Sequence, residues 1–227
     1  MLAHIIKIKK GITAIIGSGG KTSLMYKLAE ELSENSKVIV CTTTQIFKPN
    51  HIITLISPLE KDIKKAFEYN NCICIGGENE KGKLTLPDIE FSLLLKYADY
   101  IIIEADGSKG LPLKAHAEYE PVIPKESVET IVVLGIKGIG KPIKEVCHRP
   151  KLYAGILKTD ISTFVTPEMA AEVINFEGYG DLIVINQAES EEDIKNAEIL
   201  ARYIKIPVYA GEIQKGELHV CGNKRIG

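Results

Sequence analysis

Short β-branched apolar runs alternate along the chain with stretches whose apolar positions recur every three or four residues. This pattern predicts strands interleaved with helices. Strands are expected at residues 12–16, 37–42, 52–56, 72–75, 99–104, 130–134, 182–185 and 207–210. Between the first two, Leu24, Leu28 and Leu32 fall at four-residue intervals beside Met25 and Ala29, so a helix is expected over 22–33. Ser190, followed by Glu191, Glu192 and Asp193, reads as a helix start, with Ile194, Ala197, Ala201 and Ile204 as its buried stripe. Further helices are expected at 61–69, 87–96, 151–157 and 167–175. Apolar strands joined by helical crossovers make an α/β fold with a mostly parallel sheet. Residues 76–86, GGENEKGKLTL, carry hairpin chemistry at Lys81 and Gly82 and predict a small β insertion. The α/β pattern weakens over 135–166, the expected place of a small lid or subdomain in an otherwise single domain spanning 1–227.

Composition adds limits. At 227 residues, 45% hydrophobic and 26% charged, the chain is long enough to bury a core without disulfides or metal staples. A formal charge of −2 excludes the basic footprint of a general nucleic-acid binder. No apolar run approaches the roughly 20 residues of a membrane span. The opening MLAHIIKIKK places apolar residues before lysines, the reverse of a secretory signal, so a cytoplasmic location is expected. Cysteines 41, 72, 74, 147 and 221 show no zinc spacing; Cys72 and Cys74, two apart on a strand, are expected to be small core residues sharing a face.

The most informative stretch is TAIIGSGGKTS, residues 13–23, where an apolar strand runs through a glycine turn straight into the amphipathic helix. Gly17, Ser18, Gly19 and Gly20 let successive backbone N–H groups converge on an anion at the helix start. Lys21 supplies a point charge for β- and γ-phosphates, the Thr22 hydroxyl suits Mg²⁺, and Ser23 completes the cradle. Ile15 stands where a full Walker A has its first glycine, so the match is to a short GxxGK[ST] form. A dinucleotide fingerprint would need glycine at Thr22 and would leave Lys21 unexplained. The expected fold is therefore P-loop NTPase-like and three-layered, with ATP or GTP and Mg²⁺ as cofactors.

Two other strand ends reach the same edge. Thr42, Thr43 and Thr44 close the second strand, and Thr43 is a candidate phosphate contact. ADYIIIEADGS ends in Glu104 and Asp106, an acidic strand end suited to hold Mg²⁺ or orient a nucleophile. Beyond it, EADGSKGLPLKAHAEYE is too rich in chemical groups for a plain connection: Lys109 and Lys114 suit an anionic substrate, and His116 and Glu120 suit proton transfer. Arg149 is one of only three arginines and has the fork that suits phosphate or carboxylate. Asn186-Gln187-Ala188-Glu189 follows a late strand where guanine-specific NTPases place NKxD, with Gln and Glu departing from that pattern; a turn leading into a helix explains these residues equally well.

Together GSGGKTS at 17–23, CTTT at 41–44, EADGSKGLPLKAH at 104–116 and EPVIP at 120–124 resemble the YqeC family, accessory proteins of selenium-dependent molybdenum hydroxylases. LGIKGIGKPI from Leu134, the His148-Arg149 pair and VINQAE from Val184 are similar in order and spacing. The resemblance implies a nucleotide-binding protein acting in hydroxylase maturation, with a molybdenum hydroxylase or a molybdopterin-type cofactor as partner. Two other functions stay open: an ATP-dependent ligase or kinase on a small anionic substrate, and a non-catalytic module that delivers a cofactor.

Overall fold

The computed structural model describes residues 1–222. Its elements begin with α1 (Leu2–Ile5), β1 (Gly11–Gly17), α2 (Lys21–Leu32), β2 (Val38–Thr42), β3 (Ile53–Ile56), α3 (Glu60–Ala66), β4 (Cys72–Glu78), β5 (Leu84–Thr85), α4 (Phe91–Leu94) and β6 (Tyr100–Glu104). They continue with β7 (Leu113–Lys114), β8 (Ser127–Gly135), α5 (Ile143–Val146), β9 (Cys147–His148), α6 (Pro150–Ile156), α7 (Pro167–Glu177), β10 (Leu182–Asn186), α8 (Glu191–Ala201), β11 (Val208–Glu212) and β12 (Glu217–Cys221). These form two compact units. The first is Met1–Ile15, Thr22–Gly107 and Val122–Thr130; the second is Ile16–Lys21, Ser108–Pro121 and the chain from Ile131 onward.

In the first unit the strands lie in the order β1-β6-β2-β4-β3, each pair parallel. The register aligns Ile12, Ile101, Ile39 and Ile73 across the sheet. These pack with Ile63, Phe67 and Leu94 from α3, its C-cap and α4 in one buried cluster. Side chains alternate along a strand, so Ile102 and Glu104 face the other way, the side on which Thr22 of α2 meets Glu104. Leu24, Met25 and Leu28 of α2 are fully buried. Helices cover both faces, which makes this unit three-layered, and the sequence of strand, glycine turn and helix makes the fold P-loop NTPase-like. The expected insertion is present: β5 pairs antiparallel with the end of β4, Gly77 opposite Thr85 and Glu78 opposite Leu84.

In the second unit the order is β12-β11-β10-β8, parallel except for β12, which pairs antiparallel with β11. Residues 16–18 run beside β8, where the Ser18 amide donates to the Val133 carbonyl at 2.7 Å. Pro167, Ala170 and Val173 of α7 and Ala197 and Leu200 of α8 are buried. Residues 135–166 hold a 3-10 turn (Ile136–Gly138), α5, β9 and α6; β9 pairs with β7 in a separate two-stranded sheet.

A helix and an edge strand are among the differences from expectation. The helix expected over 87–96 is a single turn, Phe91–Leu94, because Glu90 keeps an extended backbone (ψ 133°) and starts the helix late. The strand β12 was not foreseen: in ELHVC only Leu218 is buried, too little apolar pattern to announce an edge strand. Among the described residues no helix is long and apolar enough to cross a membrane.

Candidate phosphate-binding site

The loop lies between the end of β1 at Gly17 and the start of α2 at Lys21. Gly19 has φ +78°, and a Cβ there would lie 2.3 Å from the Gly135 amide nitrogen and 3.0 Å from the Pro112 carbonyl oxygen. Both the left-handed backbone and the close approach of other main chain therefore require glycine. Asn186, the last residue of β10, buttresses this turn: its side-chain amide donates to the Gly19 carbonyl at 2.8 Å and accepts from the Ile213 amide at 3.1 Å. The Ser18 hydroxyl donates to the Leu111 carbonyl. Lys21 is 3% exposed, and its ammonium donates to the Gly17 carbonyl at 2.8 Å and to Ser108 Oγ at 3.0 Å.

The next residue, Thr22, belongs to the first unit and pairs with an acid there. Thr22 Oγ1 donates to Glu104 Oε2 at 2.6 Å. Glu104 is fixed through its main chain as well, its carbonyl accepting from the Thr42 hydroxyl at 2.8 Å and the Thr43 amide at 3.1 Å. The ladder runs on one residue past β6, with the Ala105 amide donating to Ile15, and Asp106 follows, 2% exposed. One helical turn beyond Thr22, Tyr26 has a buried hydroxyl with no hydrogen-bond partner among the described residues. Burial, and then Cys74 and Glu104, push its pKa up. A hydroxyl–carboxylate pair beside an unsatisfied phenol is a hard oxygen donor set, and it fits Mg²⁺ that keeps most of its own water. Among the described residues no group of three or more His, Cys, Asp or Glu could hold a metal ion.

The remaining predicted residues are placed differently. Thr43 gives its hydroxyl to the Val122 carbonyl at 2.8 Å. Ser23 is half-buried in the first turn of α2, and Lys109 is exposed with φ +52°. Glu120 is shared by two cations: Lys114 Nζ lies 2.8 Å from its Oε1, and the Arg149 guanidinium donates to the same oxygen. Arg149 also donates to Tyr119 Oη at 2.9 Å. Burial and the nearby charges of Arg149 and Lys114 lower the His148 pKa. His116 Nδ1 lies 2.8 Å from Glu177 Oε2, while its amide donates to Glu177 Oε1 at 2.6 Å. A pocket partly open to solvent is lined among others by Gly17, Ser18, Lys114, His116, Tyr153 and Glu177. Neither Ser108 nor Glu177 is marked by any motif or periodicity in the sequence. Asn186 is legible at the place of NKxD or as part of a turn, and not as a buttress of the phosphate loop.

A profile of the YqeC protein family matches residues 13–151, a span that holds the phosphate loop, the acidic strand end and Arg149. The chain belongs to the YqeC family. A relative from Escherichia coli (strain K12), described as "Uncharacterized protein YqeC", is 32% identical over 170 residues, covering 71% of this chain and 64% of the relative. The chain thus aligns with less than two thirds of that YqeC protein's length. A crystal structure of the signal recognition particle 54 kDa protein from Aeropyrum pernix K1 in complex with GDP is similar over 94% of this chain and 44% of that one. Its TM-score is 0.41 at 16% identity, a likeness too slight to argue from.

Proposed function

We propose that this protein binds a nucleoside triphosphate with Mg²⁺ on residues 17–23 and hydrolyses it, as an accessory step in the maturation of selenium-dependent molybdenum hydroxylases. The observation that carries the nucleotide reading is the 2.6 Å hydrogen bond from Thr22 to Glu104, directly after a glycine turn and its lysine. The hydroxylase pathway rests on family resemblance alone, and so does a molybdenum hydroxylase or molybdopterin-type partner.

The residues divide the work by chemistry. Backbone amides of the turn donate to phosphate oxygens, and Lys21 adds a cation where negative charge builds up. Thr22 and Glu104, with Asp106, would hold Mg²⁺, which would supply charge neutralisation for the bound phosphates. Asp106, at the strand end, is assigned to orient the attacking water and accept its proton as the bond to the γ-phosphorus forms and the nucleoside diphosphate leaves.

Lys21→Ala is expected to weaken nucleotide binding roughly 100-fold by titration calorimetry, the loss of a charge-assisted hydrogen bond, with an unchanged circular dichroism spectrum. Unaltered affinity would remove the reading.

A further inference from the structure

Within the second unit, β7 and β9 gather cations that the nucleotide reading does not use. They form a two-residue parallel ladder in which Leu113 pairs with Cys147 and Lys114 with His148. Paired residues face the same side and successive ones alternate. Leu113 and Cys147, 3% and 1% exposed, therefore anchor the ladder, while Lys114 and His148 share its other face. Continued alternation would turn the next residue, Arg149, away from that face. Instead Arg149 has φ +63°, a left-handed backbone that a residue other than glycine adopts only where its surroundings impose it. Its guanidinium donates to the same Glu120 oxygen that lies 2.8 Å from Lys114 Nζ. Lys109, exposed and left-handed at φ +52°, lies five residues before Lys114 on the same loop.

The charges of this cluster do not balance. Burial first, then Arg149 and Lys114, and to a smaller extent Lys109, lower the His148 pKa, with Glu120 acting against them. Three cations and one carboxylate thus act on this histidine. The Lys114 side chain is 1% exposed and matches Glu120, itself 9% exposed. Arg149 and Lys109 then stand as two surplus positive charges on the more accessible side. A phosphate monoester carries close to two negative charges above its second pKa of about 6, and it offers three acceptor oxygens. A carboxylate carries one charge. The planar Arg149 fork and a His148 ring N–H suit the larger, doubly charged group.

We propose that Lys109, His148 and Arg149 bind the phosphate group of a small molecule, at a site separate from the glycine turn at 17–20. Lys114 holds Glu120, which competes with the ligand for the Arg149 fork. The site stands independently of the phosphate-loop reading, although the loop that carries it touches Lys21 through Ser108.

Calorimetric titration of the full chain with glycerol phosphate, inorganic phosphate and acetate, at about pH 7.5 where the phosphate ester is a dianion, tests it. Both phosphates are expected to bind about tenfold tighter than acetate, and the tighter of the two tells an ester ligand from free phosphate. Arg149→Lys keeps the charge and loses the fork, and is expected to weaken glycerol phosphate binding about tenfold; Lys109→Gln is expected to weaken it about threefold. Glu120→Gln removes the competitor and is expected to tighten it about threefold, the opposite sign to its effect on stability. Lys21→Ala is expected to leave it unchanged. Circular dichroism checks that each variant is folded, and the Arg149 and Lys109 variants decide the matter if the Glu120 variant is not. No heat from either phosphate at millimolar ligand, acetate binding as tightly as phosphate, or Arg149→Lys binding like wild type overturns the site. A folded Glu120→Gln variant that binds more weakly overturns the competition. Binding lost in Lys21→Ala and kept in Arg149→Lys would put the ligand on the glycine turn, overturning this site while leaving the phosphate-loop reading in place.

Discussion

Two polar connections in the second unit follow strands and carry candidate chemistry, yet they are held by opposite means. The turn at 17–20 is shaped by excluded volume: main chain from Gly135 and Pro112 presses on Gly19, and an asparagine amide pins its carbonyl. The loop at 108–121 is shaped by charge, with Glu120 gathering Lys114 and Arg149, and Glu177 gripping His116 twice. Steric enforcement tolerates no added atom, whereas an ion-pair network tolerates isosteres and fails when charge is removed. The first device suits a cradle of fixed geometry. The second suits a segment that presents charged groups to a ligand.

The sharpest way to break this contrast uses two glycines with nearly the same backbone. Gly19 (φ +78°) faces crowded main chain, while Gly110 (φ +74°) has nothing within 4 Å of where a Cβ would stand. Gly110→Ala is expected to cost about 1 kcal/mol, the left-handed backbone strain alone. Gly19→Ala adds overpacking against main chain and is expected to cost about 4 kcal/mol, seen in urea unfolding monitored by circular dichroism. Equal costs would mean the turn yields, and steric enforcement would be the wrong description.

Next in size is the charge-held loop. Glu120→Ala takes away the carboxylate that Lys114, whose side chain is 1% exposed, shares with Arg149, and is expected to cost about 3 kcal/mol. Glu120→Gln keeps the shape and an acceptor oxygen, and is expected to cost about half as much. A Gln variant as damaging as the Ala variant would show that shape does not matter there. One indistinguishable from wild type would show that charge does not.

The same contrast explains what could be read from the sequence. The phosphate loop was legible because its signals are contiguous: an apolar strand, glycines, Lys21, Thr22 and a periodic helix lie within residues 12–33. Glu104 was legible too, as an acid closing an apolar run, and its bond to Thr22 follows from β1 and β6 being parallel neighbours. Partners fixed only by folding were not. Glu177 reaches His116 across 61 residues and Asn186 reaches Gly19 across 167, and neither leaves a periodic or compositional trace. The short α4 and the edge strand β12 escaped for a related reason, since one turn of helix and one buried leucine are too little pattern to read.

Asp193 combines both kinds of contact and gives the smallest effect. Locally it closes the capping box of α8, accepting from the Ser190 amide at 2.9 Å and hydroxyl at 2.7 Å. Remotely it accepts from Lys137 at 2.6 Å. Burial alone would raise its pKa, but the hydrogen bonds from Lys137 and Ser190 outweigh it and hold the carboxyl at about 2, below the ordinary 3.8. Because the folded-state value is the lower one, its contribution is present above about pH 4 and is lost as pH falls toward 2. The Lys137 side chain is 40% exposed, so solvent screens the pair and the contribution is about 1 kcal/mol. Asp193→Asn should therefore destabilise the protein by about 1 kcal/mol at pH 7, with the difference shrinking below about pH 4 and vanishing only below pH 2, in urea unfolding at each pH. Lys137→Met should remove part of that difference and Ser190→Ala another part. If the lysine variant alone abolishes it, the remote charge dominates; if the serine variant does, the local cap dominates.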